Sequence, residues 1–169
     1  DNNVSTVLIV EDQKDVRDFI VSIFNKDYKV IVAKNGEDGI NKAIKNLPDL
    51  IISDIMMPIK DGIELCNTIK HDEFTSHIPV ILLTAKVGAE NEITGLKSGA
   101  DAYITKPFNN KRLLVEVDRL IKSRQQLKER YSQEFVVNPN LAITSTETEF
   151  PPNVINFRRK MSFFLVYFN

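Results

Sequence analysis

A single cysteine, Cys66, excludes an internal disulfide and a cysteine-only metal site, which suits a reducing compartment. Charge of one sign is equally scarce. Twenty-two basic and 23 acidic residues leave a net charge of -1, so there is no global case for nucleic acid or an anionic membrane as partner. No apolar run approaches the ~20 residues that cross a bilayer, and no signal peptide is read ahead of the first strand. A cytoplasmic location is therefore expected for this segment. The loop after the first apolar run, Glu11-Asp12-Gln13, lacks glycine and carries the wrong charge to cradle a phosphate, which argues against a flavin- or nucleotide-binding domain. What remains is 169 residues with 43% hydrophobic content, enough for one domain and an appendage.

Strands and helices alternate five times, the pattern of an α/β domain. Strands are expected at 6–10, 29–33, 49–53, 79–83 and 101–105. The first helix, 14–25, carries Val16, Phe19, Ile20, Ile23 and Phe24 at helical spacing. The second, 36–46, is expected to bury Ile40, Ala43 and Ile44 and to stop at Leu47-Pro48. A third follows Asp61-Gly62 and presents Ile63, Leu65, Cys66 and Ile69, which reads Cys66 as a small core residue. A short fourth, 89–98, has Ile93 and Leu96 as its apolar contacts and Gly99 as a left-handed cap.

Three segments close an apolar run with residues suited to metal or phosphate chemistry: Val7-Leu8-Ile9-Val10-Glu11-Asp12, Leu50-Ile51-Ile52-Ser53-Asp54 and Tyr103-Ile104-Thr105-Lys106-Pro107-Phe108. Continuous Val/Ile/Leu runs read as central parallel strands covered on both faces. Parallel strands end at one edge, so Glu11, Asp12, Asp54 and Lys106 share a pocket able to bind a divalent cation and a phosphoryl group. Asp12 has a second reading as the cap of the first helix. Thr84, after Val80-Ile81-Leu82-Leu83, reaches the same edge or is simply a β-favouring residue, and Tyr103 is either a switch or an ordinary half-buried aromatic.

These residues carry a family resemblance. Glu11-Asp12, Asp54 with Met56-Met57-Pro58 and Asp61-Gly62, Thr84-Ala85, Gly99-Ala100-Asp101-Ala102-Tyr103, and Lys106-Pro107-Phe108 stand in an order that resembles the receiver domain of two-component response regulators over residues 5–125. The resemblance implies a CheY-like (flavodoxin-like) doubly wound parallel sheet of order 2-1-3-4-5 with a cis Lys106-Pro107 bond. It implies Mg2+ (or Mn2+) held by Asp12, Asp54 and the Met56 carbonyl, with Glu11 acting through water. Asp54 is then the phosphorylated nucleophile, Lys106 the cation on the phosphoryl oxygens, and Thr84 with Tyr103 the switch. Met56 and Lys86 at the variable pocket positions imply a comparatively long-lived phosphoryl group.

The implied partner is the phosphohistidine domain of a kinase, in the same chain or another. A homodimer through the fourth helix, fifth strand and last helix is a further expectation. Self-dephosphorylation is the only catalysis expected. A magnesium-dependent phosphohydrolase would need its second acid where Met56 stands. A silent interaction module and a stand-alone phosphorelay intermediate are the other readings.

The last helix departs from a minimal receiver. Leu113, Leu114, Val117, Leu120, Ile121, Leu127 and Tyr131 keep helical spacing to 135, among Lys122, Arg124, Lys128, Glu129, Arg130 and Glu134. Residues 1–125 therefore read as the receiver, 126–135 as a signalling helix or solvated charged helix, and 136–169 as a connector. Asn138-Pro139 with Ile143-Thr144-Ser145 resembles the connector of Bacteroidetes-type hybrid sensors, in which a receiver precedes an AraC-type DNA-binding domain. The closing run Met161–Phe168 looks like an aggregation-prone edge strand and is assigned no function.

Overall fold

Continuous apolar runs, punctuated by Asp, Pro and Gly, set the central strands, which are buried on both faces. The computed structural model describes residues 4–85 and 98–137, with side chains as far as Arg130. β1 (Thr6–Val10), β2 (Lys29–Ala33), β3 (Leu50–Asp54), β4 (Val80–Thr84) and β5 (Ala102–Thr105) form one parallel sheet in the order β2-β1-β3-β4-β5. This is the expected doubly wound order. Helices α1 (Lys14–Phe24), α2 (Gly36–Asn46), α3 (Gly62–His71) and α4 (Asn110–Val137) accompany it. The chain divides into two compact units, Asp1–Arg124, which holds the sheet, and Gln125–Asn169. The expected fourth helix (89–98, but for Ser98), Lys86 and the stretch from 138 onward lie outside the described residues.

Strands β3, β4 and β5 start one residue later than the pattern suggests, and β3 and β4 also end one residue later. At the N-terminal edge, side chains join the backbone, as the Asp49 amide donates to Thr6 and the Asp101 amide to Val80. Asp49 Oδ2 accepts from the Thr6 amide and Asp101 Oδ2 from the Val80 amide, each at 2.8 Å, while Pro79 has no amide to offer. At the other edge the ladder runs on, because the Ile55 amide donates to Leu83 and the Lys106 amide to Thr84. Asp54 and Thr84 are thus held within strands rather than on loops.

Alternation splits the core into two layers. Val7, Ile9, Leu50, Ile52, Ile81, Leu83 and Ile104 pack with Ile20 and Phe24 of α1 and Leu113, Val117, Leu120 and Ile121 of α4. Leu8, Val10, Ile51, Val80 and Leu82 pack with Ile40 and Ala43 of α2 and Leu65, Cys66 and Ile69 of α3. Cys66 is fully buried, with Sγ donating to the Ser98 carbonyl at 3.3 Å, and burial pushes its thiol up.

Ile44 is a correction: it is 49% exposed. The reason lies in Gly36 and Gly39. A Cβ at Gly39 would stand 2.7 Å from Leu65 Cδ1 and 3.0 Å from Val10 Cγ2, so α2 approaches along its Gly36–Gly39–Ala43 seam. One residue on from Ala43, roughly 100° round the helix, Ile44 is carried to the rim. Leu47 takes the left-handed conformation (φ 43°) at the expected Leu47-Pro48 break, and Gly99 shows the expected positive φ of 75°.

Beside the N-terminal edge of β4, His77 is partly buried near the cations of Arg124 and Lys70, and its pKa is lowered to about 4, chiefly by burial. The unfolded chain therefore binds a proton there that the folded chain refuses. Stability present above the ordinary histidine pKa is lost as pH falls from about 6.5 towards 4, by up to about 3 kcal/mol, less what residual exposure screens. Urea titrations at pH 7 and 4.5 are expected to show that loss, and His77→Gln to reduce it.

Candidate functional site

The strand register assembles the site before any side chain is considered. Val10 pairs with Ser53, Asp54 with Leu83, and Thr84 with Thr105. The next residues along, Glu11 beside Asp54 and Lys106 beyond Thr105, therefore meet at the C-terminal edge. Glu11, Asp54 and Lys106 also follow Ile9, Ile52 and Ile104 at the same two-residue interval, so alternation directs all three to the α1/α4 side of the sheet. Thr84 and Tyr103 follow the other parity, that of Leu82, on the α2/α3 side.

Lys106 Nζ lies 2.9 Å from Glu11 Oε2 and 3.0 Å from Asp54 Oδ1. Glu11 is fully buried and Asp54 nearly so. Burial pushes the Glu11 carboxyl up, against the hydrogen bond and charge of Lys106. Burial also opposes the charge on Lys106, yet its hydrogen bonds to Glu11 and Asp54 prevail and hold its pKa above the ordinary lysine value.

Asp12 is the informative member. Its reading as a helix cap is overturned: the N-cap of α1 is Gln13, and no side chain caps that end. Asp12 Oδ1 is buried without a hydrogen-bond partner. Carboxylate oxygens of Glu11, Asp12 and Asp54 all lie within 4.8 Å of one another. A buried acceptor left unsatisfied costs about 1–3 kcal/mol, and three carboxylates in one pocket repel. A hard divalent cation relieves both, and this donor set suits Mg2+.

The other expected residues have these places. Thr84 is buried at the end of β4, and its carbonyl accepts from the Lys106 amide at 2.6 Å. Tyr103 is half-buried with its hydroxyl 2.9 Å from Ser98 Oγ, and burial pushes that phenol up. Met56 is 71% exposed. The Lys106-Pro107 peptide is cis. Sequence reasoning missed Ser98 as the Tyr103 partner and missed Arg17, whose guanidinium reaches back to the Glu11 and Asp12 carbonyls. Arg17 stands five and six residues beyond those acids, a separation no strand or helix pattern singles out.

Similar proteins agree with this architecture. Residues 7–118 match the response regulator receiver domain family. The chain is 43% identical over 146 residues to histidine kinase P4 of Formosa agariphila, covering 86% of this chain and 11% of that protein. It is 40% identical over 118 residues to the phosphate regulon transcriptional regulatory protein PhoB of Pseudomonas aeruginosa, covering 69% of this chain and 52% of that one. It thus spans about a tenth to a half of these relatives' lengths. Among solved structures, the receiver domain of a signal transduction histidine kinase from Syntrophus aciditrophicus superposes with a TM-score of 0.68 at 29% identity, covering 88% of this chain and 99% of that one. The receiver domain of Francisella response regulator 1452 gives 0.66 at 37% identity, covering 70% and 98%. Five motifs in order, a 2-1-3-4-5 sheet and these matches agree: the chain belongs to the response regulator receiver domain family.

Proposed function

We propose that the domain accepts a phosphoryl group on Asp54 from the phosphohistidine of a partner kinase, in the presence of Mg2+ or Mn2+. The observation that carries this reading is the pairing of Lys106 with Asp54 at 3.0 Å beside the unpartnered, buried Asp12 Oδ1. An Asp54 carboxylate oxygen attacks phosphorus, the phosphorus–nitrogen bond breaks, and the imidazole leaves. Lys106 moves its charge from the carboxylate to the phosphoryl oxygens as the bond forms, in a pocket that needs little reorganisation. Asp12, Asp54 and the Met56 carbonyl would hold the cation, with Glu11 acting through water, and the cation would neutralise charge on the transferred group.

The Thr84 hydroxyl then donates to a phosphoryl oxygen, and Tyr103 exchanges its Ser98 contact for an inward position. Phosphate biases a pre-existing equilibrium in this way rather than building a new fold. The readout passes through the face of β5 and the last helix, by homodimerisation or by 126–135 acting as a signalling helix towards an output domain. The kinase and transcription-regulator relatives support a larger parent, a hybrid kinase with control of transcription as its output. Among the described residues no helix is long and apolar enough to cross a membrane, and the proposed location of this domain is the cytoplasm.

The test is intact mass after incubation with acetyl phosphate and Mg2+, beside Asp54→Ala. One phosphate adduct is expected, lost in the variant and lost without Mg2+. A folded, Mg2+-binding protein with no adduct would leave a silent interaction module as the reading.

A further inference from the structure

We propose that Arg17 is a positioning residue for the cation site, acting through the backbone of the two acids rather than through its charge. The inference rests on the Mg2+ site proposed above.

The carbonyls of Glu11 and Asp12 fall in the gap between sheet and helix. The Glu11 amide donates to Ala33 at 3.1 Å as the ladder's last bond to β2, and the first helical bond runs from the Arg17 amide to Gln13 at 2.9 Å. Between these, Arg17 Nη1 donates to the Glu11 carbonyl at 2.7 Å and lies 3.3 Å from the Asp12 carbonyl. One guanidinium nitrogen of the half-buried Arg17 therefore spans both peptides.

The side chains explain why this matters. Glu11 is held by Lys106 at 2.9 Å and by the Gln13 amide at 3.2 Å. Asp12 Oδ1 has no such tie. The aim of the Asp12 carboxylate at Asp54 is thus left to its backbone, and Arg17 is the side chain that grips that backbone. A guanidinium offers several donors in a rigid fork, whereas a lysine ammonium is a point charge on a flexible stem. Groups that orient a metal ligand typically contribute 10–100-fold in metal affinity.

The experiment is a titration of the full, isotopically labelled chain with magnesium chloride, followed by amide NMR shifts, with melts in metal-free buffer reporting the fold separately. Arg17→Met keeps the apolar stem and removes the donors; Arg17→Lys keeps the charge. About tenfold weaker Mg2+ binding is expected for Arg17→Met, with Arg17→Lys between it and wild type. A folded Arg17→Met that binds Mg2+ as wild type does overturns the inference. Should Arg17→Met fail to fold, wild-type affinity in Arg17→Lys overturns it equally. Loss of Mg2+ binding in wild type would instead overturn the cation site, and this role with it.

Discussion

Lys106→Met is expected to remove about 3–5 kcal/mol of folding free energy at neutral pH without metal, measured by urea denaturation. Glu11 is fully buried, and among the described residues its ion pair is with Lys106 at 2.9 Å. Removing one partner of a buried pair leaves the other charge stranded, which costs far more than the pair contributes when intact. For a domain whose whole stability is about 5–15 kcal/mol, that is a large fraction. Added Mg2+ stabilises any folded form that binds it, by about 2.7 kcal/mol at a hundredfold excess over Kd. In the variant the cation meets three carboxylates with no ammonium among them, so the stabilisation should exceed that of wild type. Phosphoryl transfer to Asp54 at saturating Mg2+ is expected to fall about 10²–10³-fold, the scale for losing one preorganised electrostatic group. Wild-type stability for Lys106→Met would mean that the buried Glu11 is accommodated without its cation.

The acids and lysine were readable because parallel topology does the assembling. Once Val7–Val10, Leu50–Ser53 and Ala102–Thr105 are parallel strands of one sheet, the residues that end them meet, although Glu11 and Lys106 are 95 positions apart. What strand-end reasoning could not reach is how each residue is held. Asp12 has two readings in the sequence, and the cap reading falls because Gln13 is the N-cap of α1 and no side chain caps that end. The Arg17 grip and the Ser98–Tyr103 hydrogen bond are side-chain choices made after the backbone is set. No periodicity encodes them.

In the fold, periodicity finds the buried stripe of each described helix but not its width. Ile44 fits the stripe and is exposed all the same, because glycines at 36 and 39 rather than bulky residues define the line of closest approach. Strand starts differ by one residue where the Asp49 and Asp101 carboxylates accept from the Thr6 and Val80 amides. Ile59 was not anticipated either. This exposed β-branched residue has a φ of 73°, in a turn where the Lys60 amide donates to the Pro58 carbonyl at 2.9 Å. The Lys60 carbonyl in turn accepts from Gly36 at 3.0 Å, so the conformation is imposed by packing against α2.

The same loop ends at Gly62, where the second large effect is expected. Gly62→Ala should cost about 3 kcal/mol or more, or abolish folding, while Gly99→Ala costs about 1–2 kcal/mol. The two glycines differ in kind. Gly99 has a φ of 75°, and among the described residues the nearest atom to an added Cβ is Lys70 Cγ at 3.5 Å, so its penalty is that of an L-residue in the left-handed region. A Cβ at Gly62 would stand 2.1 Å from the Asp54 carbonyl oxygen and 3.0 Å from both the Asp54 carbonyl carbon and Ile55 Cα. All three are backbone atoms, which cannot rotate aside as a side chain would. The neighbourhood is also fixed. The Gly62 amide donates to Ile55 at 2.9 Å, and Asp61 and Glu64 close a reciprocal capping box at 2.8 and 3.0 Å. Relief therefore requires moving either the start of α3 or the peptide that carries Asp54. Any Gly62→Ala protein that folds should accept phosphate from acetyl phosphate more slowly than Gly99→Ala at matched Mg2+. Equal rates and equal melting temperatures in the two variants would mean that α3 can back away from Asp54 at little cost.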